Sequence, residues 1–160
     1  MNLNKIIPIV IIIGIILIFS FSKGGNISIN IVQGENQQVV EKDFIYNHSD
    51  AISFPAVVRS SGNKPVETEY KGIEMSKLFS SLDFDISKVE KITFNASDGY
   101  RIILGIEEIK EPNNIYLTFE RDGKPMKSNS QGGNGPFQLV IRQDPFSQRW
   151  IKHVEEIILE

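Results

Sequence analysis

The run Lys91-Ile92-Thr93-Phe94-Asn95-Ala96-Ser97-Asp98-Gly99-Tyr100-Arg101-Ile102-Ile103-Leu104 constrains this chain more than any other stretch. Ile92, Phe94 and Ala96 alternate with Lys91, Thr93 and Asn95, which is the period of a strand with one buried face. Asp98-Gly99 supplies a pair that tolerates positive φ, as a tight hairpin turn demands. Tyr100, Ile102 and Leu104 then resume the alternation on the return strand.

The rest of the chain repeats this pattern. Downstream, Ile115 to Glu120, a turn at Asp122-Gly123 and Lys124-Pro125-Met126 read as a second hairpin. A loop from Ser128 to Pro136 carries Gly132, Gly133 and Gly135, and Phe137 to Ile141 and Val154 to Leu159 read as further strands. Upstream, Ile27, Ile29 and Ile31 alternate with Ser28 and Asn30 as a first strand. Gly34-Glu35-Asn36 reads as a turn, and Gln38 to Phe44 as a second strand or extended edge. Ala56-Val57-Val58 is strand-like, and Val66 to Tyr70 is extended. One helix is clear: after Gly72, residues Ile73, Met75, Leu78, Phe79 and Leu82 fall at helical spacing, with Glu74, Lys77 and Ser81 outward. Gly105 to Lys110 reads as a short helix or turn closed by Pro112. The pattern predicts an α+β fold of mostly antiparallel strands with one main helix packed on them.

Ile6 to Phe21 is an aliphatic run interrupted by Pro8, Gly14 and Ser20 and preceded by Lys5. A positive flank before such a run marks a signal anchor or a signal peptide. No small-x-small cleavage site follows in Phe19-Ser20-Phe21-Ser22-Lys23-Gly24-Gly25, so a retained anchor is the expectation and secretion after cleavage the alternative. The organisation expected is a transmembrane segment over residues 1–22, a linker over 23–26, and an extracytoplasmic domain over 27–160, single-pass in the cell membrane. The chain of 160 residues, 41% hydrophobic and 23% charged, has enough apolar content for a packed core. A net charge of -3 without a basic face excludes nucleic acid as the expected partner. There is no cysteine, which excludes disulfides, thiolate metal sites, cysteine nucleophiles and a lipoprotein anchor.

Four landmarks then occur in order. They are Tyr70-Lys71-Gly72-Ile73-Glu74-Met75 leading into the leucine-bearing helix, Ala96-Ser97-Asp98-Gly99-Tyr100, the stretch Gly132-Gly133 with Gly135-Pro136-Phe137-Gln138-Leu139-Val140, and Arg149-Trp150-Ile151-Lys152 with Ile157-Ile158-Leu159. Together they resemble the molybdopterin-binding oxidoreductase domain of the sulfite oxidase type, from about Tyr46 to the C-terminus. The resemblance implies that fold, a cradle for a pterin pyrophosphate, and a cysteine thiolate on molybdenum from a loop that here falls near Pro55 to Ser61. That segment reads Pro55-Ala56-Val57-Val58-Arg59-Ser60-Ser61, and Gln138 stands where the glycine-rich motif usually ends in arginine. A serine does not replace a soft thiolate without changing the metal chemistry.

The site residues that follow are Asp98 and Tyr100, whose counterparts lie near the family's cofactor pocket, and Gly132 and Gly133, whose backbone N–H groups could face an anion. Arg149 and Lys152, with Arg142, could surround such an anion. Each has a plainer reading: a hairpin turn for Asp98-Gly99-Tyr100, a flexible loop for the glycines, a solvated strand edge for the cations. Trp150 reads as a core or pocket-wall residue, and His48 and His153 as isolated, solvent-facing or hydrogen-bonded histidines rather than zinc ligands. No catalytic residue and no metal ligand is assigned. Asn95-Ala96-Ser97 matches a glycosylation sequon that the hairpin already explains. The function expected is a membrane-anchored, non-redox domain that binds a small ligand or envelope protein, with no cofactor. The alternatives are a genuine molybdopterin oxidoreductase lacking a protein thiolate, and a structural or interaction module of the cell envelope.

Overall fold

The computed structural model describes residues 27–59 and 61–160. They form two five-stranded sheets around one continuous apolar core. The first sheet contains β1 (Ser28–Gln33), β2 (Asn36–Glu41), β5 (Lys91–Ala96), β6 (Arg101–Gly105) and β10 (Val154–Leu159), in the order β2-β1-β10-β5-β6. The C-terminal strand β10 therefore lies between the N-terminal strand and the central hairpin. It runs parallel to β1 and antiparallel to β5. The hairpin forms in the expected register, with Ile92 opposite Leu104 and Phe94 opposite Ile102, and Gly99 adopts φ +86° in the turn.

The second sheet runs β3 (Ile52–Val58), β4 (Val66–Glu74), β7 (Ile115–Arg121). The far edge of β7 is shared by β9 (Gln138–Ile141), opposite Ile115 to Thr118, and by the two-residue β8 (Lys124–Pro125), opposite Glu120 and Arg121. Pro55 sits inside β3 because β3 is the terminal strand, where a missing N–H is tolerated. Ile29 and Ile31 from β1, Phe94 from β5, Ile157 from β10, and Leu117 and Leu139 from the second sheet are all buried. Burying side chains of this size stabilises a fold by about 1.5–3 kcal/mol each before the cost of ordering them.

Among the described residues the α-helices are three and all are short: α1 (Lys42–Tyr46), α2 (Met75–Ser81) and α3 (Ile106–Lys110). The architecture is thus mostly β with a few short helices, rather than a sheet packed by one main helix. The helix expected after Gly72 begins only at Met75, because Gly72, Ile73 and Glu74 pair with Thr118, Leu117 and Tyr116 of β7. Ile73 fills the core from a strand, and its helical spacing is coincidental. Glu74, expected to face outward, is buried and accepts a 2.6 Å hydrogen bond from the Asn113 backbone N–H. The expected second strand to Phe44 likewise ends at Glu41, where α1 starts and buries Ile45. Among the described residues no helix is long and apolar enough to cross a membrane. The segment expected to do so, residues 1–22, lies outside the described residues.

Candidate functional site

The segment between β9 and β10 links the two sheets. At its centre Ser147–Arg149 makes one 3-10 turn. The Ser147 N–H donates to the Arg59 carbonyl at 3.1 Å, and the Arg59 N–H donates to Ser147 Oγ at 2.9 Å, which ties the segment to the end of β3. The Tyr100 hydroxyl donates to the Gln148 carbonyl at 3.4 Å, which ties it to the central hairpin. Arg149 Nη1 donates to Glu108 Oε2 of α3 at 2.8 Å, and its Nε donates to Asp144 Oδ2 at 2.9 Å, with Nη2 on Asp144 Oδ1 completing the fork. Those bonds to Asp144 push the guanidinium above its ordinary titration range.

Beside this segment lies an aromatic cluster. The Phe54 ring is 4.3 Å from Tyr116 and 6.4 Å from Tyr70, and Tyr70 meets Trp150 edge-on at 6.0 Å. Trp150 Nε1 donates to the Ile141 carbonyl at 2.9 Å, which satisfies the one polar atom of a buried indole. Arg142 lies with its guanidinium 5.0 Å from the Phe54 ring centre and 5.9 Å from that of Tyr116. Burial pushes the Tyr70 and Tyr116 hydroxyls above their ordinary titration range.

The glycine loop is built for close packing. Gly132 takes φ +74°, and its N–H donates to the Asn129 carbonyl. The Gly133 N–H donates to the Ser128 carbonyl at 3.0 Å and that of Gly135 to the Lys127 carbonyl at 2.8 Å. A Cβ on Gly133 would land on the Lys127 carbonyl, and one on Gly135 would come within 2.7 Å of the Met126 carbonyl oxygen. These three amides face their own loop and not a ligand. On its outer side the loop borders an open cleft of about 420 Å³, lined also by Arg121, Lys124 and Lys127. Arg121 Nε donates to Thr68 Oγ1 at 3.0 Å, and Thr68 donates in turn to Asp122 Oδ1 at 2.7 Å.

Of the residues singled out from sequence, Tyr100 and Arg149 are brought to the same segment. Asp98 closes its own turn by accepting the Tyr100 N–H at 3.1 Å. Lys152 is exposed, and the glycine loop meets the β10 side through its neighbour His153. His153 is buried, and its Nδ1 lies 2.9 Å from the Gly135 carbonyl. Its N–H donates to the Asn134 carbonyl at 3.1 Å, and its own carbonyl accepts the Ser97 N–H at 3.0 Å. One residue therefore joins the hairpin turn to the glycine loop. Its only sequence signal was its position between Lys152 and Val154. Gln138 is also buried, and its Oε1 has no hydrogen-bond partner.

A serine–histidine–aspartate lookalike occurs elsewhere. His48 Nε2 is 2.9 Å from Ser81 Oγ, and Asp50 Oδ2 is 3.9 Å from His48 Nδ1. Nδ1, however, accepts the Asp50 backbone N–H at 3.1 Å, so the ring proton sits on Nε2. The Ser81 hydroxyl donates to the Leu78 carbonyl at 2.8 Å. The imidazole donates to the serine and has no free lone pair with which to take its proton. Among the described residues no group of acidic residues and histidines could hold a metal ion.

Two sheets with β10 inserted beside β1, short helices, and a sheet-linking segment after β9 define a mostly β member of the α+β class. This fold is shared with a solved structure, the sulfane dehydrogenase SoxCD from Paracoccus pantotrophus, at a TM-score of 0.66 and 15% sequence identity. The likeness covers 82% of this chain and 37% of the SoxCD chain, so this chain spans well under half of that length. The fold that the four landmarks implied is the fold observed. No family model matches the sequence, and no curated protein matches it.

Proposed function

We propose that residues 27–160 form a binding domain on this fold that performs no molybdenum redox chemistry, held at the cell membrane by the N-terminal segment. The observation that carries this reading is chemical: the chain has no cysteine, so no thiolate is available to a molybdenum centre. The other residues present also fit the group poorly. The amides of Gly132, Gly133 and Gly135 are engaged within their loop. Arg149 is neutralised by Asp144 and Glu108. Gln138, at the position where the resembling motif usually ends in arginine, brings no positive charge for a phosphate-bearing group. The surface offered to a ligand or envelope protein is the sheet-linking segment, with Phe146 and Tyr100 at 58% and 50% exposure and Arg142 above the aromatic cluster. Aromatic and arginine side chains are the types that anchor such contacts.

The test is elemental analysis and pterin fluorescence of the purified full chain. Neither molybdenum nor pterin is expected, and a stoichiometric amount of both overturns the reading. The alternative, a reductase that holds a pterin without a protein thiolate, draws support from the basic cleft of Arg121, Lys124 and Lys127 beside the glycine loop. Under that alternative, Lys124→Ala with Lys127→Ala lowers the pterin content.

A further inference from the structure

β2 is the terminal strand of the first sheet, and nothing among the described residues pairs with its outer edge. The Lys42 N–H donates to the Ile27 carbonyl at 2.8 Å, and the β1–β2 register runs unbroken from Ser28 opposite Glu41 to Gln33 opposite Asn36. The alternation of an antiparallel ladder then turns the backbone groups of Val40, Gln38 and Asn36 toward β1. Those of Gln37, Val39 and Glu41 face outward. Two other terminal strands are partly guarded, although Ile103 of β6 is itself 55% exposed. β3 carries Pro55, and β6 runs directly into α3, whose Glu108 Oε1 accepts the Gly105 N–H at 3.3 Å. β2 carries no proline and no lysine, and its Val39 is 61% exposed.

We propose that β2 is a homodimerisation edge, pairing antiparallel with β2 of a second copy about a two-fold axis at Val39. The register itself selects this partner. With Val39 opposite Val39, the outward-facing groups of Gln37, Val39 and Glu41 meet those of Glu41, Val39 and Gln37, giving roughly six main-chain hydrogen bonds. The same register sets the Gln37 carboxamide opposite the Glu41 carboxylate on both sides of the axis, and no like charges face each other. The two exposed valines cover one another. The first sheets of the two copies become one continuous sheet, which removes the unguarded edge.

The absence of cysteine makes the test direct. In the full chain, kept in non-denaturing detergent on account of Ile6 to Phe21, sedimentation equilibrium should report a dimer. Val39→Cys should form a disulfide-linked dimer on mild oxidation. Cα atoms at a hydrogen-bonded antiparallel pair stand about 5.5 Å apart, inside the disulfide range of about 4.4–6.8 Å. Gln37→Cys alone should not cross-link, whereas Gln37→Cys mixed with Glu41→Cys should. Val39→Lys, at an exposed position that leaves the circular dichroism unchanged, should raise the dissociation constant about tenfold or more. A monomer at all concentrations overturns the proposal. So does a dimer indifferent to Val39→Lys, or cross-linking of Gln37→Cys as efficient as that of Val39→Cys.

Discussion

Nδ1 of His153 donates to the carbonyl oxygen of Gly135 across 2.9 Å, inside the fold. The bond fixes the tautomer, with the proton on Nδ1, and anchors the glycine loop to the start of β10. His153 also holds φ +55°, a left-handed conformation uncommon for a residue with a side chain. Replacing it with phenylalanine keeps much of the ring volume but strands the Gly135 carbonyl. His153→Phe is expected to cost roughly 1–3 kcal/mol, read as a lower urea midpoint. A midpoint equal to wild type would show that the loop does not depend on this bond.

Gly72 answers to space and Gly34 to conformation. A Cβ on Gly72 would stand 2.5 Å from the Leu117 carbonyl oxygen and 2.8 Å from the Thr118 Cα, where β4 and β7 shift register. Gly34 has open space around it but φ +58°. Gly72→Ala should therefore destabilise by about 1–3 kcal/mol through overpacking. Gly34→Ala should lose only about 1 kcal/mol through backbone strain. Thermal denaturation of the two variants side by side checks the order, and a larger loss at Gly34 would contradict it.

Asp122 contributes a pH-dependent part of the stability. The Glu69 N–H and then the Thr68 hydroxyl donate to its ionised carboxylate and hold it below the usual range, with Arg121 assisting. A depressed folded value means that the stabilisation is complete above the unfolded aspartate value of about 3.9. It disappears as pH falls through the lower folded value. The stability difference between wild type and Asp122→Asn should stay constant from about pH 7 to 5 and shrink below about pH 4. Urea titrations at several pH values measure it, and a difference that persists unchanged to about pH 2 would rule this origin out.

Ser81 should be chemically quiet. His48 donates to it through Nε2 and accepts the Asp50 amide through Nδ1, so the ring cannot serve as its base. A fluorophosphonate probe at neutral pH is expected to leave Ser81 unlabelled, as judged by peptide mass spectrometry. Labelling that His48→Ala abolishes would establish the opposite assignment.

The central hairpin, the turn glycines and most strand positions follow from sequence, because alternation of apolar residues and Asp-Gly pairs are local signals that the sheet merely accepts. The stripe Ile73, Met75, Leu78, Phe79 and Leu82 misled because the last strand residues and the first helix residues both had to be apolar. Only the pairing of Gly72 to Glu74 with β7 decides where strand becomes helix. Arg149 illustrates the same limit at the candidate site. Its charge is legible, but its neutralisation by Asp144 and by Glu108, 41 positions away, is not.

By itself the sequence determined a cysteine-free domain built mainly of antiparallel strands, and with it that this chain supplies no thiolate. Tertiary structure decided what the polar groups do with what they have. It placed the glycine amides on their own loop, His153 between two turns, and the outward backbone of β2 at an edge that no described residue pairs with. Hydrogen-bond partners lie far apart along the chain, and a one-dimensional pattern carries no record of which distant group will saturate a donor.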